Sequence, residues 1–514
     1  MINHIAIFPV LLPLLAGIAL LLLPDRQLPL KRATSLISVV LQIITAIVLL
    51  NTVSNDEILV YALGNWVPPF GIVLVADRLA VWMLTITALV AICALFYASR
   101  GTDSSGAHFH TLFQLQLFGL NGAFLTGDLF NLFVFFEILL LASYGLLLHG
   151  GGRLKTKAGL HFVAINLVGS TLFLFAVGTL YGLLGTLNMA DLAVKVATAP
   201  ADDTVLIHIA GLLLFAVFAL KAALVPLYLW LPAAYAHTTA AVAALFAIMT
   251  KVGAYSILRV YTLIFGTQAG TAANLTEAWL LPMAIMTLII GVLGVLASTR
   301  LRQQVAYLVI ASIGTLLTAT GINSAAGITA ALYYLPHSTF AAAAFFLLSD
   351  SIAQRRHIMD DQFEPGPVIQ QQRLLGSLFF ITAILIAGLP PLSGFIGKFL
   401  ILNAALPHPA LPWIMGVILV TSLFTLIALA RSGSMLFYRT QEPHTGNVSP
   451  DADKPRSTLS VTGELTPVVC LLLFCVGLVI FAGTITDYTT AIANQLLHPE
   501  TYIKSVLHME IIQP

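Results

Sequence analysis

The chain has 514 residues, of which 59% are hydrophobic and 9% charged, with a net charge of +1. Soluble domains carry about 25% charged residues, so the composition excludes a soluble globular protein and points to a polytopic membrane protein. Balanced charge without Lys/Arg runs excludes a nucleic-acid partner. Cys93, Cys470 and Cys475 lie singly in apolar runs with no Cys-x-x-Cys pair, which gives no basis for a zinc or iron–sulfur centre or a disulfide framework.

A membrane span needs roughly 20 apolar residues. About 14 segments qualify: 5–23, 33–52, 76–99, 109–127, 129–148, 158–184, 206–232, 238–264, 278–297, 303–322, 326–351, 373–404, 409–434 and 463–485. The predicted fold class is therefore an all-α polytopic membrane protein. The first run lacks a basic leader and a small-residue cleavage site, so it is predicted to be a membrane helix and not a signal peptide. No dinucleotide fingerprint appears, and "GFIGKF" has the wrong glycine spacing for a phosphate loop. No cofactor is expected.

Five ionisable residues stand out deep inside these spans. Glu137 lies in the middle of "LFNLFVFFEILLLASYGLLL". Tyr144 follows seven residues later on the same helix face, and Asp128 precedes the run at a capping position. Asp128 and Asn131 offer oxygens and are weak candidates for a Na+ site. Lys221 stands five residues before Pro226. Lys251 lies deep in 238–264, and His237 stands near the cytoplasmic end of that segment. The 14 residues between them correspond to about 21 Å of continuous helix, so His237 is expected to gate access to a deep Lys251. His337 occupies 326–351. Lys398 follows Pro390 and Pro391 by eight and seven residues. Arg78 and Arg259 read as interfacial anchors. Prolines beside a lysine in two spans suggest interrupted helices in two repeated halves, with a site at each break.

Alternate loops hold 16 of the 23 Lys and Arg residues. The positive-inside rule then places those loops in the cytoplasm and both termini outside. The 439–462 segment reads as a polar cytoplasmic loop. A charge at the bilayer centre costs about 2.5–3.5 kcal/mol on insertion scales, so the buried set must be paired, hydrated or shifted in proton affinity. A Glu–Lys pair opposes both desolvation shifts. Breaking it frees the lysine to release its proton, which is the physical ingredient of a relay.

The stretches "DLFNLFVFFEILLLASY", "KAALVPLYLWLPAAYAH", "TKVGAY", "YLPHSTFAAAAFF" and "GLPPLSGFIGKF" resemble the proton-pumping membrane subunits shared by respiratory complex I and Mrp-type cation/proton antiporters. The resemblance covers nearly the whole chain, and residues 63–83, "LGNWVPPFGIVLVADRLAVWM", are similar to the D subunits of Mrp antiporters. It implies two inverted five-helix repeats over 109–264 and 278–434, broken at Pro226 and at Pro390–Pro391. These would follow an N-terminal three-helix segment, 1–108, and precede a polar loop and C-terminal helix, 435–514. It also implies that Glu137, Lys221, Lys251, His337 and Lys398 form the proton relay. Many relatives have a histidine in a "YSSISHMG"-like stretch, where "YLVIASIG" has Ser312 here. The relay would then use water or a hydroxyl at that point.

The implied function is H+ exchange for Na+, or for Li+ or K+, driven by the proton motive force. The implied partners are other membrane subunits in a bacterial inner membrane, and no covalent chemistry is involved. Two alternatives stand beside it. One is the pump subunit of a complex I-like NADH dehydrogenase or membrane-bound hydrogenase, and the other is a structural subunit with an idle channel.

Overall fold

The computed structural model describes residues 2–24, 26–55, 57–356, 359–439 and 461–508. Most of the polar 439–462 loop, with Lys454 and Arg456, lies outside the described residues.

The helices are α1 (Phe8–Leu22), α2 (Leu28–Val53), α3 (Arg78–Ala98), α4 (Phe109–Leu125), α5 (Leu129–Leu148), α6 (Arg153–Leu184), α7 (Met189–Ala197), α8 (Thr204–Ala222), α9 (Trp230–His237), α10 (Ala240–Phe246), α11 (Met249–Leu263), α12 (Glu277–Ala297), α13 (Leu301–Gly321), α14 (Ala325–Arg355), α15 (Gln372–Ala387), α16 (Ser393–Ala405), α17 (Leu411–Phe437), α18 (Val461–Ile480), α19 (Ala482–Leu497) and α20 (Glu500–Leu507). Twelve helical stretches among the described residues are long and apolar enough to cross a membrane. The shortfall from 14 has two causes. Helix α4 has only 17 residues. The expected 373–404 span is two shorter apolar helices, α15 and α16, separated at Gly388–Leu392.

Within the mostly helical fold, β1 (Leu59–Ala62) pairs antiparallel with β2 (Val73–Ala76), Leu59 opposite Ala76. "YALGNWVPPFGIVL" closes this hairpin, with Gly64 and Asn65 at positive φ turning the chain. Helices α19 and α20 fold back on the bundle, where Gln495 accepts the Arg78 backbone N–H at 3.3 Å and the Tyr488 hydroxyl donates to the Arg78 carbonyl at 3.3 Å.

Burial orders the bundle. The most apolar parts of the Ala240–Leu263 and Ala325–Arg355 spans are wholly buried, whereas only a third of the corresponding parts of α2 and α17 is. The enclosed spans carry Lys251 and His337. The outer helices present apolar side chains such as Ile37, Leu419 and Leu423 outward, as a lipid-facing helix must.

Candidate functional site

Backbone groups released at helix breaks need partners at bilayer depth, and the sequence supplies them locally. Pro336 has no N–H, so α14 leaves the Leu332 carbonyl free. The Trp82 indole from α3 donates to it at 3.2 Å. Helix α8 stops at Ala222, with Ala223 left-handed at φ 60°. The Trp230 indole then donates to the Leu220 carbonyl at 2.9 Å, and the Val225 N–H donates to Thr287 Oγ1 at 2.9 Å. The second break is capped by a lysine. Lys398 Nζ donates to Ser422 Oγ at 2.8 Å and to the carbonyls of Ala387 at 2.9 Å and Ile386 at 3.4 Å. Three donors thus meet three oxygens, which is the full capacity of an ammonium group.

Gly388 makes that seat possible. It lies at φ +83°, and a Cβ there would stand 2.8 Å from Lys398 Cδ. At the first break, Gly253 on α11 performs the comparable service. A Cβ at 253 would lie 2.4 Å from the Ala222 nitrogen, so only glycine lets the helix carrying Lys251 pack against the end of the helix carrying Lys221.

The predicted site residues fall into two groups. Glu137 and Lys221 both reach α6, and among the described residues no ion pair joins them. The Ser170 hydroxyl donates to Glu137, and Lys221 Nζ donates to Asn166 Oδ1 at 3.1 Å while lying 5.9 Å from the Phe136 ring centre. The second group surrounds a cavity of about 40 Å³ between α12, α13, α14, α15, α16 and α17. Its lining is mostly apolar but includes Ser312, Thr315, His337, Ser338, Lys398, Thr421, Ser422 and Thr425, enough polar partners and room for water. Lys251 reaches its edge, with Nζ 3.5 Å from Ser312 Oγ. His337 Nδ1 lies 2.9 Å from Ser393 Oγ, at the start of α16 just past the second break.

Other sequence candidates are placed differently. His237 ends α9, and the stretch from it to Lys251 is not one helix, because Thr238–Thr239 and Ala247–Ile248 interrupt it. The 21 Å of continuous helix is therefore wrong. His237 faces Arg300, Arg302 and Asp361, and burial first, then Arg300, holds its imidazole below the ordinary value of 6.5. The Tyr144 ring packs edge-on to Phe162, with centres 5.4 Å apart. Asp128 caps α5, where its carboxylate accepts the Asn131 N–H at 2.8 Å, and the Asn131 amide donates to Thr126 at 3.0 Å. Burial pushes the Asp128 carboxyl up to about 6. Among the described residues no group of three or more His, Cys, Asp or Glu side chains is arranged to hold a metal ion.

Arg259 is not an interfacial anchor. It is 4% exposed and clamps Asp77, with Nη2 2.7 Å from Oδ1 and Nη1 2.6 Å from Oδ2. Its guanidinium also covers the rings of Tyr255 and Tyr502, so α3, α11 and α20 meet at this pair. Arg78 is likewise buried, and its guanidinium donates to the Val53 and Ser54 carbonyls at the end of α2.

Sequence reasoning missed Asn166, Ser170, Ser393, Ser422 and the carbonyls of Ile386 and Ala387. A usable signal existed for one pair: Asn166 and Ser170 are small polar residues at i,i+4 in an apolar run, hence on one helix face. The carbonyls carry no sequence signal at all.

Residues 126–425 match the family model described as "NADH:quinone oxidoreductase/Mrp antiporter, TM". The chain is 41% identical to the D subunit of a probable K(+)/H(+) antiporter of Rhizobium meliloti, over 98% of each protein. It is 37% identical to the D subunit of the Na(+)/H(+) antiporter of Alkalihalophilus pseudofirmus, over 98% of this chain and 99% of the relative. Its fold superposes on a chain of the Mrp complex from Dietzia sp. DQ12-45-1b with a TM-score of 0.84 and 26% identity, covering 98% and 99% of the two chains. With more than half of its length inside the family model and antiporter relatives matched almost end to end, the chain belongs to the NADH:quinone oxidoreductase/Mrp antiporter transmembrane family.

Proposed function

We propose that this chain is a proton-translocating subunit of a multisubunit monovalent cation/proton antiporter, working with other membrane subunits in a bacterial inner membrane. The observation that carries the reading is the polar line through the enclosed spans: Lys251 at Ser312, the hydroxyl-lined cavity, His337 at Ser393, and Lys398 at Ser422. Transport needs no covalent chemistry and no cofactor.

In this reading H+ enters at Glu137 and Lys221, crosses by Lys251 and water to His337, and leaves through Lys398. The breaks at Pro226 and Pro390–Pro391 place a titratable lysine beside released backbone in each of two inverted repeats, 109–264 and 278–434. The cations Lys155, Arg302 and Arg355 gather near Asp350 and Glu464 at one end of the bundle. That end is the cytoplasmic face, and both termini lie outside.

The test is exchange by the whole complex in everted vesicles, comparing Na+, Li+ and K+, since the relatives' names carry both Na+ and K+. Glu137→Ala and Lys221→Ala are expected to abolish exchange while the subunits still copurify. Undiminished exchange in both would remove this chain from the proton route.

A further inference from the structure

Glu137 and Lys221 both reach helix α6. Asn166 and Ser170 occupy successive turns of one α6 face, and each holds one member of the pair: Ser170 donates to the Glu137 carboxylate and Asn166 accepts from Lys221 Nζ. The orientation of Asn166 is itself fixed, because its Nδ2 donates to the Phe162 carbonyl at 2.8 Å. That bond turns the amide oxygen, not the NH2 group, toward the lysine. Asn166 and Ser170 are 1% and 6% exposed, so bulk water does not compete for these contacts. Removing Asn166 would leave the buried Lys221, and removing Ser170 the half-buried Glu137, without that partner, or drive it onto the other member of the pair.

We infer that Asn166 and Ser170 form a latch that holds the Glu137–Lys221 pair apart, so that α6 sets the balance between an open state, with each residue on α6, and a closed state, with direct Glu–Lys contact. This rests on the reading that Glu137 and Lys221 lie on the proton route, and it makes Asn166 and Ser170 positioning residues. A neutral amide stabilises the lysine charge less than a carboxylate does. Lys221 therefore releases its proton more readily in the open state and holds it in the closed one. Ser170 fits both states of the glutamate, because a hydroxyl donates to a carboxylate and accepts from a protonated carboxyl. The latch works without a proton passing through either side chain, and no bond is made or broken.

The test is the pH dependence of cation/proton exchange by the assembled complex in everted vesicles. With Ser170→Ala or Asn166→Ala the direct pair forms more readily. The pH of half-maximal exchange is then expected to rise by about half a unit, an approximately threefold change in proton affinity. Ser170→Thr, which keeps the hydroxyl, is expected to restore the wild-type profile. Asn166→Asp replaces the neutral partner with a charged one and is expected to move the profile in the same direction and further. A fall in rate with the profile unmoved, in complexes whose subunits copurify normally, would assign these residues to packing alone and overturn the latch. If an alanine variant does not assemble, Ser170→Cys and Asn166→Asp carry the same reading. Full exchange in Glu137→Gln would overturn the route itself, whereas loss in Glu137→Gln with unmoved profiles in the α6 variants would overturn only the latch.

Discussion

Lys251 Nζ stands 3.5 Å from Ser312 Oγ, and Ser312 in turn lines the cavity that His337 and Lys398 share. One hydroxyl thus joins the first half of the polar line to the second. Its own proton is committed, since Ser312 Oγ donates to the Val309 carbonyl at 2.7 Å. The serine therefore acts toward Lys251 as an acceptor and leaves proton movement to water in the cavity.

Ser312→Ala removes that acceptor and turns part of the cavity wall apolar. A net hydrogen bond is worth about 1 kcal/mol, so exchange by the assembled complex is expected to fall about fivefold. Ser312→His, which restores a group able to pass protons, is expected to recover most of the rate. Initial exchange rates in everted vesicles, normalised to the amount of this chain present, decide it.

The Asp77–Arg259 pair is buried at both ends, 1% and 4% exposed, and joins α3 to α11 with Tyr502 of α20 stacked on the guanidinium. Removing one partner leaves an uncompensated buried charge, at a cost of about 3–5 kcal/mol. Asp77→Ala and Arg259→Ala are each expected to lower the thermal transition of the purified complex strongly. The double variant Asp77→Asn with Arg259→Leu is expected to lower it less than either single change. Equal transitions in all three would show that the pair is not a lock.

Asp128 supplies a pH dependence with a definite sign. Its folded carboxyl titrates near 6, above the ordinary 3.8, because burial outweighs the backbone hydrogen bonds from Asn131 and Phe130. The folded protein then binds a proton here that the unfolded chain has already lost, so this group's contribution to stability declines as pH rises from about 4 to about 6. Asp128→Asn keeps a capping oxygen and cannot titrate. The variant is expected to lose that decline, so that thermal transitions measured at pH 4.5 and 7 lie closer together than in the wild type. An unchanged pH dependence would mean that Asp128 does not titrate in this range.

Much of the candidate site is legible in the sequence. Glu137, Lys221, Lys251, His337 and Lys398 announce themselves because a charge in lipid is costly enough to be rare, and the breaks do so because a proline inside a helix removes a hydrogen bond and disfavours its continuation. What could not be read was which neutral groups receive those charges. Asn166, Ser170, Ser393 and Ser422 look ordinary in an apolar run until packing brings them to a lysine, a histidine or a carboxylate. The carbonyls of Ile386 and Ala387 belong to backbone that every residue has. Arg259 was misread for the same reason: an arginine near a span end looks like a surface anchor until its buried partner, 182 positions away, is known.

The sequence by itself determined that the chain lives in a membrane, how its apolar runs are spaced, and which titratable groups are stranded at depth, because hydropathy and the cost of burying charge act locally along the chain. Only the tertiary structure decided that Glu137 and Lys221 reach Ser170 and Asn166 on one face of α6 without forming an ion pair, and that Lys251, His337 and Lys398 converge near one cavity. The physical reason is that hydrogen bonds and packing join side chains far apart in sequence, and the angle at which each helix leaves its break depends on the neighbours it meets.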